Sequence, residues 1–237
     1  MKKILIALGV TLILLEGCEE PFDLELNNNP DLLVVEGTIH NLPGPYYVSL
    51  RYTTTYSFSD STDRSLPATG AEIMIKDDQG NVAALTEWQP GVYRTDSLST
   101  FRGVEGRSYS LDVTTDEGKH YISKAELLLP PVAIDSLYFV YGPAKVDEFS
   151  SYRVYIDYTD PIGKGNNYRW FTYLDNFPVI EAEVDNDQFV DGRKIAGRQL
   201  VGLQTFQRGL DTLQVVVRQA SLTPEAFDYW QTFGEQV

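Results

Sequence analysis

Cysteine and histidine are nearly missing from this chain. Its 237 residues include one cysteine, Cys18, and two histidines, His40 and His120, which stand far apart in the sequence. One cysteine cannot form an intramolecular disulfide, and a metal site built from several thiolates is excluded as well. Each histidine has a strand-like sequence context, which is typical of a structural role. Burial of apolar side chains must therefore supply the stability of the fold.

Basic residues are also few. The chain has 19 Lys and Arg residues against 34 Asp and Glu residues, which gives a formal net charge of −15 at pH 7. Nucleic-acid binding needs basic patches that neutralise phosphates, so a nucleic-acid partner is not expected. The same negative charge repels an anionic lipid surface, so we expect any membrane attachment to be covalent.

The sequence contains no recognisable catalytic or cofactor motif. The nucleophile motif G-x-S-x-G is missing, and the glycines of 163–165 lack the spacing of a P-loop or a dinucleotide-binding loop. Residues 185–192 begin like a calcium loop, but Phe189 takes the position of a ligand and the glycine comes two residues late. The pattern favours an acidic turn. We therefore expect no cofactor, no bound metal and no enzymatic activity.

A short apolar segment ends just before Cys18. Lys2 and Lys3 precede an apolar run, 4–15, that has too few residues to span a hydrocarbon core of about 30 Å. Residues 1–17 are therefore interpreted as a signal peptide with a lipoprotein-type cleavage site, and Cys18 as the site of lipidation. The alternative is an ordinary secretory signal followed by an incidental cysteine. Acyl chains on Cys18 would anchor the protein firmly, since each buried CH₂ contributes about 0.8 kcal/mol.

Residues 18–31 are predicted to form a lipidated, flexible tether, because they contain two prolines, three consecutive asparagines and few core-forming side chains. Glu19 and Glu20 follow the lipidated cysteine directly. This acidic pair resembles the export signal with which lipoproteins of Bacteroidota reach the outer face of the outer membrane, although any solvated linker would also be polar. We expect a protein that is lipid-anchored in the outer membrane and faces the cell exterior.

Residues 32–129 show the period-two alternation of antiparallel strands. Apolar side chains alternate with polar or smaller ones around Val48, Ile73 and Val113, and turn residues separate these runs. Short strands joined by tight turns predict a β-sandwich of immunoglobulin or transthyretin type. We expect this range to be the first of two β domains.

The longest irregular stretch of the first domain follows its second strand and is rich in Ser, Thr and Asp. Three aromatic residues at its start, Tyr52, Tyr56 and Phe58, are candidates for a binding interface. Aromatic side chains often contribute most of the binding free energy of an interface. The same residues would equally suit a minor core.

Pro130 and Pro131 mark the predicted boundary between the two domains. Proline cannot donate a hydrogen bond to a sheet, so this pair interrupts any ladder that would cross it. Residues 132–237 then repeat the strand pattern and are expected to form a second antiparallel, sandwich-like domain. The chain stops soon after its last apolar stretch, so this domain is predicted to be truncated at its C-terminus.

One short helix is predicted near the C-terminal end. Thr223 is suited to cap a helix and Pro224 to occupy its first position. Phe227, Trp230 and Phe233 follow at helical spacing and form one apolar stripe. We expect this stripe to face a sheet of the second domain.

Several segments together resemble an uncharacterised lipoprotein family of Bacteroidota that is catalogued as a domain of unknown function. They are residues 18–22 (CEEPF), 33–39 (LVVEGTI), 67–73 (PATGAEI), 152–161 (YRVYIDYTDP), 189–192 (FVDG) and 222–227 (LTPEAF). Genes of that family commonly neighbour TonB-dependent outer-membrane receptors, so the resemblance implies a receptor as partner. It implies no catalytic residue.

Two functional classes are compatible with these observations. The first is a non-catalytic binding or accessory partner of a TonB-dependent transporter at the cell surface. The alternative is a cell-surface adhesin or a component of envelope assembly, and a hydrolase remains a third class. The sequence favours the first class, because that class accounts both for the predicted lipid anchor and for the receptor that the family resemblance implies.

Overall fold

The computed structural model describes residues 32–53, 66–142, 151–179, 183–204 and 214–234. Within these ranges the chain is mainly β: the paired strands run antiparallel, and one short helix lies near the C-terminal end. The mainly-β class, the antiparallel sheets and the short C-terminal helix are confirmed as predicted from the sequence, and the sheets are compatible with a sandwich-like arrangement.

The first part of the chain forms a nine-stranded sheet, called here the N-terminal sheet. Its strands are β1 (Leu33–Gly37), β2 (Tyr47–Tyr52), β3 (Leu66–Pro67), β4 (Glu72–Asp77), β5 (Val82–Gln89), β6 (Val92–Thr95), β7 (Ser108–Thr114), β8 (His120–Ile122) and β9 (Glu126–Leu127). Their order is β1-β2-β6-β5-β4-β7-β8, with β3 paired to β2 and β9 paired to β7. Residues of β1 and of the segment between β8 and β9 line one cleft, so the sheet curls around its core.

The core of the N-terminal sheet comes from alternate residues of its strands. Val48 and Leu50 on β2 are buried, as are Ile73 and Ile75 on β4, whereas the residues between them are partly exposed. Successive side chains of a strand point to opposite faces, so this alternation turns one face of the sheet inward. The other buried apolar residues of this core are Tyr46, Ala68, Leu85, Tyr93, Tyr109 and Val113.

The second part of the chain forms two sheets, called here the C-terminal sheets. Their strands are β10 (Ile134–Gly142), β11 (Ser151–Thr159), β12 (Asn167–Leu174), β13 (Phe177–Pro178), β14 (Glu183–Asn186), β15 (Lys194–Gln204) and β16 (Val215–Leu222). One sheet has the order β10-β11-β15, and in the other β12 lies between β16 and the two strands β13 and β14. Side chains from both sheets form the second core: Val154, Ile156, Tyr158, Tyr168, Trp170 and Leu200.

Helix α1 (Pro224–Gly234) begins where the sequence predicted a helix. Thr223 caps it, because its Oγ1 accepts a hydrogen bond from the backbone N–H of Ala226 at 3.3 Å. The same hydroxyl donates to Oε2 of Glu126 at 2.8 Å, which connects the helix to β9. Phe227 is buried, and the helix contacts β12, β14 and β16. No helix within the described ranges has both the length and the apolar character needed to cross a membrane.

Candidate binding surface

Strand β12 presents cationic and aromatic side chains on its outer face. The buried side chains of this strand, which point into the second core, include Tyr168, Trp170 and Thr172. Period two therefore places the intervening residues on the opposite face, where helix α1 contributes a tryptophan and β16 contributes an arginine. We call this set the arginine–aromatic surface; it consists of Arg169, Phe171, Tyr173, Arg218 and Trp230.

Arg169 lies between two aromatic rings. Its guanidinium carbon is 3.2 Å from the centre of the Trp230 ring and 4.2 Å from the centre of the Phe171 ring. The negative faces of the rings attract the cation. The rings also take the guanidinium away from water, and this burial lowers the pKa of Arg169 to about 10, with Tyr173 and Tyr229 acting in the opposite direction. Arg169 is therefore charged at neutral pH although it is partly desolvated.

No carboxylate in the described part of the chain pairs with Arg169. Its Nε is buried and makes no hydrogen bond, and no ion pair between described residues includes it. Other arginines of the chain are paired, such as Arg107 with Asp77 at 2.8 Å. The closest neighbours of the Arg169 guanidinium are thus aromatic rings, and its hydrogen-bond donors are unused by the described residues.

Arg218 is the second cation of the surface. It stands opposite Phe171 in the pairing of β12 with β16, and its guanidinium carbon is 5.0 Å from the centre of the Tyr173 ring. The Arg218 side chain is exposed. Its charge reaches His40, whose pKa is lowered by burial and further by Arg218. The charge of Arg218 is thus one of the groups that lower the pKa of His40, on the loop that follows β1.

Three aspartates meet where two loops of the C-terminal sheets come together. Asp160, Asp187 and Asp191 each place a carboxylate oxygen within 4.8 Å of the other two. Backbone N–H groups of the glycine-rich turn already bind two of them: Gly165 donates to Asp187 at 3.0 Å, and Gly163 donates to Asp191 at 2.7 Å. The acidic turn predicted over 185–192 thus contributes carboxylates to a contact between two loops.

The third aspartate of this group, Asp160, is buried and accepts two hydrogen bonds. One comes from the hydroxyl of Tyr168 in the second core, and the other from the backbone N–H of Gly192 at 2.8 Å. Burial and the hydrogen bond to Asp160 both raise the pKa of Tyr168. The described donors around the cluster therefore hold its carboxylates by hydrogen bonds, which is a structural role.

A cleft of ≈ 360 Å³ opens along the free edge of β1. Val35 and Ile39 line it on one side, Leu111 lies on the other, and Lys124 and Glu126 supply its charged groups. The volume falls within the range of about 300–1,000 Å³ that is typical of small-ligand sites. The exposed lining of the cleft is mostly apolar.

The two histidines have different neighbours. The His40 ring is 5.0 Å from the ring of Tyr46, centre to centre, beside the first core. His120 on β8 places Nε2 2.7 Å from Oδ1 of Asp112 on β7, and Nζ of Lys76 lies 2.5 Å from the other oxygen of that carboxylate. Both sets of contacts are those of structural side chains.

Of the residues predicted to form the interface, only Tyr52 belongs to the described ranges. It is half-buried and packs against the first core, in agreement with the alternative of a minor-core residue. Its contribution to a binding interface stays a prediction. The remaining residues singled out from the sequence lie outside the described residues: Cys18, Glu19, Glu20, Tyr56 and Phe58.

The reading of the sequence missed the arginine–aromatic surface, although one signal for it was present. The segment from Arg169 to Tyr173 was assigned to a strand, and period two alone separates its arginine from Trp170. What the segment cannot show is that Trp230, on a helix far along the chain, covers Arg169. That contact depends on the packing of α1 against β12.

Comparison with known proteins gives one match. A family model described as Domain of unknown function (DUF4249) matches residues 19–237. No curated protein matches the chain, and no solved structure matches it. The matched range includes both cores and the arginine–aromatic surface, so these features lie within the family domain.

Proposed function

We propose that this chain, which belongs to the family described as Domain of unknown function (DUF4249), acts by binding another protein at the cell surface and not by catalysis. In this proposal the chain is lipidated on Cys18, lies on the outer face of the outer membrane and is an accessory partner of a TonB-dependent receptor. The observation that supports it best is the arginine–aromatic surface.

The composition of that surface is typical of binding hot spots. Tryptophan, tyrosine and arginine are the residues that most often lose more than about 2 kcal/mol of binding free energy on truncation. Trp230, Tyr173 and Arg169 bring these three residue types together on the outer face of one sheet. Exposed Tyr229 extends the aromatic area next to Trp230, with the two ring centres 5.0 Å apart.

The location and the receptor partnership rest on the sequence. Cys18 follows a short apolar segment directly and precedes Glu19 and Glu20, as expected of a surface-directed lipoprotein. The lipoprotein family that the chain resembles is commonly encoded beside TonB-dependent receptors, which favours a receptor as partner. The net charge of −15 is compatible with a body that is held off an anionic membrane by its anchor.

Co-purification from the native membrane tests this proposal. The full-length chain with a C-terminal affinity tag is extracted in mild detergent, and proteins that elute with it are identified by mass spectrometry. A TonB-dependent receptor is expected in the eluate, and an unrelated tagged lipoprotein serves as the control. A chain that elutes alone would contradict the partnership and favour the alternative of an adhesin or an envelope-assembly component.

Two sets of variants divide the proposal into its parts. Cys18→Ser is expected to move the protein out of the membrane fraction and to abolish incorporation of labelled palmitate. Tyr56→Ala combined with Phe58→Ala is expected to reduce the yield of receptor without lowering the melting temperature, if these two side chains contribute to the contact. An unchanged yield would remove both side chains from the interface and leave the anchor unaffected.

A further inference from the structure

We propose that Arg169 and Arg218 form a carboxylate-binding site on the arginine–aromatic surface, and that its occupant is an acidic side chain of a protein partner. The inference rests on the proposed binding function for its biological setting. It adds to that function the chemistry of the group that is recognised and the residues that recognise it.

Arg169 has no counterion among the described residues, although the chain has an excess of acids. The sequence has 34 acidic and 19 basic residues, yet no carboxylate of the described residues pairs with this guanidinium. Two rings desolvate it, and the buried Nε donates to nothing. A partly buried cation with unused donors gains more from an incoming carboxylate than an exposed, already hydrated one does.

Arg218 lies on the same face as Arg169 and supplies the second cation of the site. Arg218 is opposite Phe171, and Arg169 is two residues from Phe171 on the same strand. The two arginines are therefore diagonal neighbours on one face, with backbone positions about 7–8 Å apart. Arg218 therefore adds a second positive charge to the face on which the Arg169 guanidinium lies. Stacking on Trp230 and Tyr173 restricts both groups before a ligand arrives.

The charge of the chain favours a single carboxylate over a polyanion as the ligand. The whole chain carries a net charge of −15, which repels a polyanion such as an anionic bilayer or a nucleic acid. Charges further away than about 8 Å are largely screened at physiological ionic strength. A single carboxylate set among apolar groups thus responds mainly to the local arginines. Such a group is an aspartate or glutamate side chain in a protein interface.

A peptide titration monitored by nuclear magnetic resonance tests the site without any receptor. The probe is an acetylated and amidated Phe-Glu-Phe tripeptide, and its Phe-Gln-Phe counterpart and inorganic phosphate are the comparison ligands. The signals to follow are the Nε–H of Arg169 and the indole N–H of Trp230 in the full-length chain. Saturable shifts are expected with the glutamate peptide, at an affinity at least about tenfold above that of the glutamine peptide.

Variants assign the binding to the proposed residues. Arg169→Gln is expected to weaken binding of the glutamate peptide at least about tenfold, whereas Arg169→Lys, which keeps the charge but loses the planar fork, is expected to weaken it less. The matched control is Arg94→Gln, because Arg94 also stacks on a tryptophan, Trp88, at 5.1 Å. Arg94→Gln is expected to leave the affinity unchanged.

Each other result overturns the proposal. Equal affinities for the glutamate and glutamine peptides would show that the carboxylate is not recognised, and tighter binding of phosphate would show a general anion site. Equal weakening by Arg94→Gln would show unspecific attraction. Should Arg169→Gln fail to fold, Arg169→Lys and Arg218→Gln carry the test, and wild-type affinity in both would refute the site. Because no receptor is present, these outcomes are independent of co-purification.

Discussion

The guanidinium carbon of Arg169 lies 3.2 Å from the centre of the Trp230 ring, and this contact joins strand β12 to helix α1. Arg169 therefore packs against the helix through Trp230, while no described carboxylate neutralises its charge. Stacking fixes the plane of the guanidinium, which reduces the rotamer freedom that a ligand would otherwise have to restrict. The same contact can thus stabilise the helix and prepare a binding site.

A double-mutant cycle is expected to measure this contact. Arg169→Met and Trp230→Leu, alone and combined, should give a coupling free energy of about 1–2 kcal/mol in urea unfolding, since the pair is partly desolvated. The control cycle uses Arg94→Met and Trp88→Leu, where the ring is half-exposed and the separation is 5.1 Å. That cycle should give about 0.5 kcal/mol. Equal coupling in the two cycles would show that burial does not strengthen the stacking.

Two glycines with similar backbone angles are expected to respond differently to alanine. Gly91 has φ +72°, and a Cβ there would lie 2.6 Å from the carbonyl oxygen of Leu50, whereas Gly80 has φ +84° and open space around it. Gly80→Ala should cost about 1 kcal/mol, from the left-handed backbone alone. Gly91→Ala should cost about 2–4 kcal/mol, because a backbone clash adds to that strain. Equal losses in chemical denaturation would contradict the close approach at Gly91.

Removal of the Tyr168 hydroxyl is expected to destabilise the C-terminal sheets. Tyr168→Phe takes one of two hydrogen bonds from the buried carboxylate of Asp160 and leaves the N–H of Gly192 as its described donor. The expected loss of unfolding free energy is about 1–3 kcal/mol. Tyr155→Phe is the control, because its hydroxyl makes an exposed bond to Gln199, and its effect should stay within about 0.5 kcal/mol. A neutral Tyr168→Phe would argue that Asp160 finds another donor.

The strands whose apolar alternation is readable in the sequence have one buried face. The alternation of Val48 and Leu50 in β2, and of Ile73 and Ile75 in β4, follows directly from one side of the sheet facing a core. The helix start at Thr223 was recognisable for a similarly local reason, since capping involves residues within one turn. A strand or helix is therefore predictable from its own residues wherever its apolar side chains keep one regular spacing.

Strands β6 and β15 lack a recognisable apolar alternation in the sequence, for physical reasons. β6 has four residues, and Thr95 is one of its two buried side chains, so its apolar alternation is too short to recognise. β15 pairs with β11 through two register shifts and contains Gly197 at φ +71°, which interrupts its period. Arg198 within it is packed over Trp170, so a charged residue occupies a place where the pattern expects an apolar one.

The candidate site was less accessible from sequence than the fold. Period two places Arg169 and Tyr173 on one strand face, but the pairing of β12 with β16 that brings Arg218 beside them is a long-range contact. The stacking of Trp230 requires in addition the docking of α1. The spacing of Phe227, Trp230 and Phe233 predicts an apolar stripe on the helix, and the structure shows the Trp230 ring against a cation.

Acid is expected to remove the stabilisation that Asp112 provides. The Lys76 ammonium, 2.5 Å away, and then His120 hold the pKa of this carboxyl below its ordinary value of 3.8. The carboxyl of Asp112 is a stronger acid in the folded state than in the unfolded state. Its contribution to the free energy of unfolding is therefore complete above about pH 5 and disappears as the pH falls through 3.8 towards the lower folded pKa. The difference in unfolding free energy between wild type and Asp112→Asn should accordingly shrink as the pH falls from about 5 through 3.8 and below. It should stay near 1 kcal/mol or less, because the Lys76 side chain is 40% exposed and solvent screens the pair. Lys76→Met is the control: it removes the main cause of the low pKa, so the acid-dependent loss should be smaller than in wild type and should end at a higher pH. A stability difference that does not change with pH would refute the assignment of the shift to this ion pair.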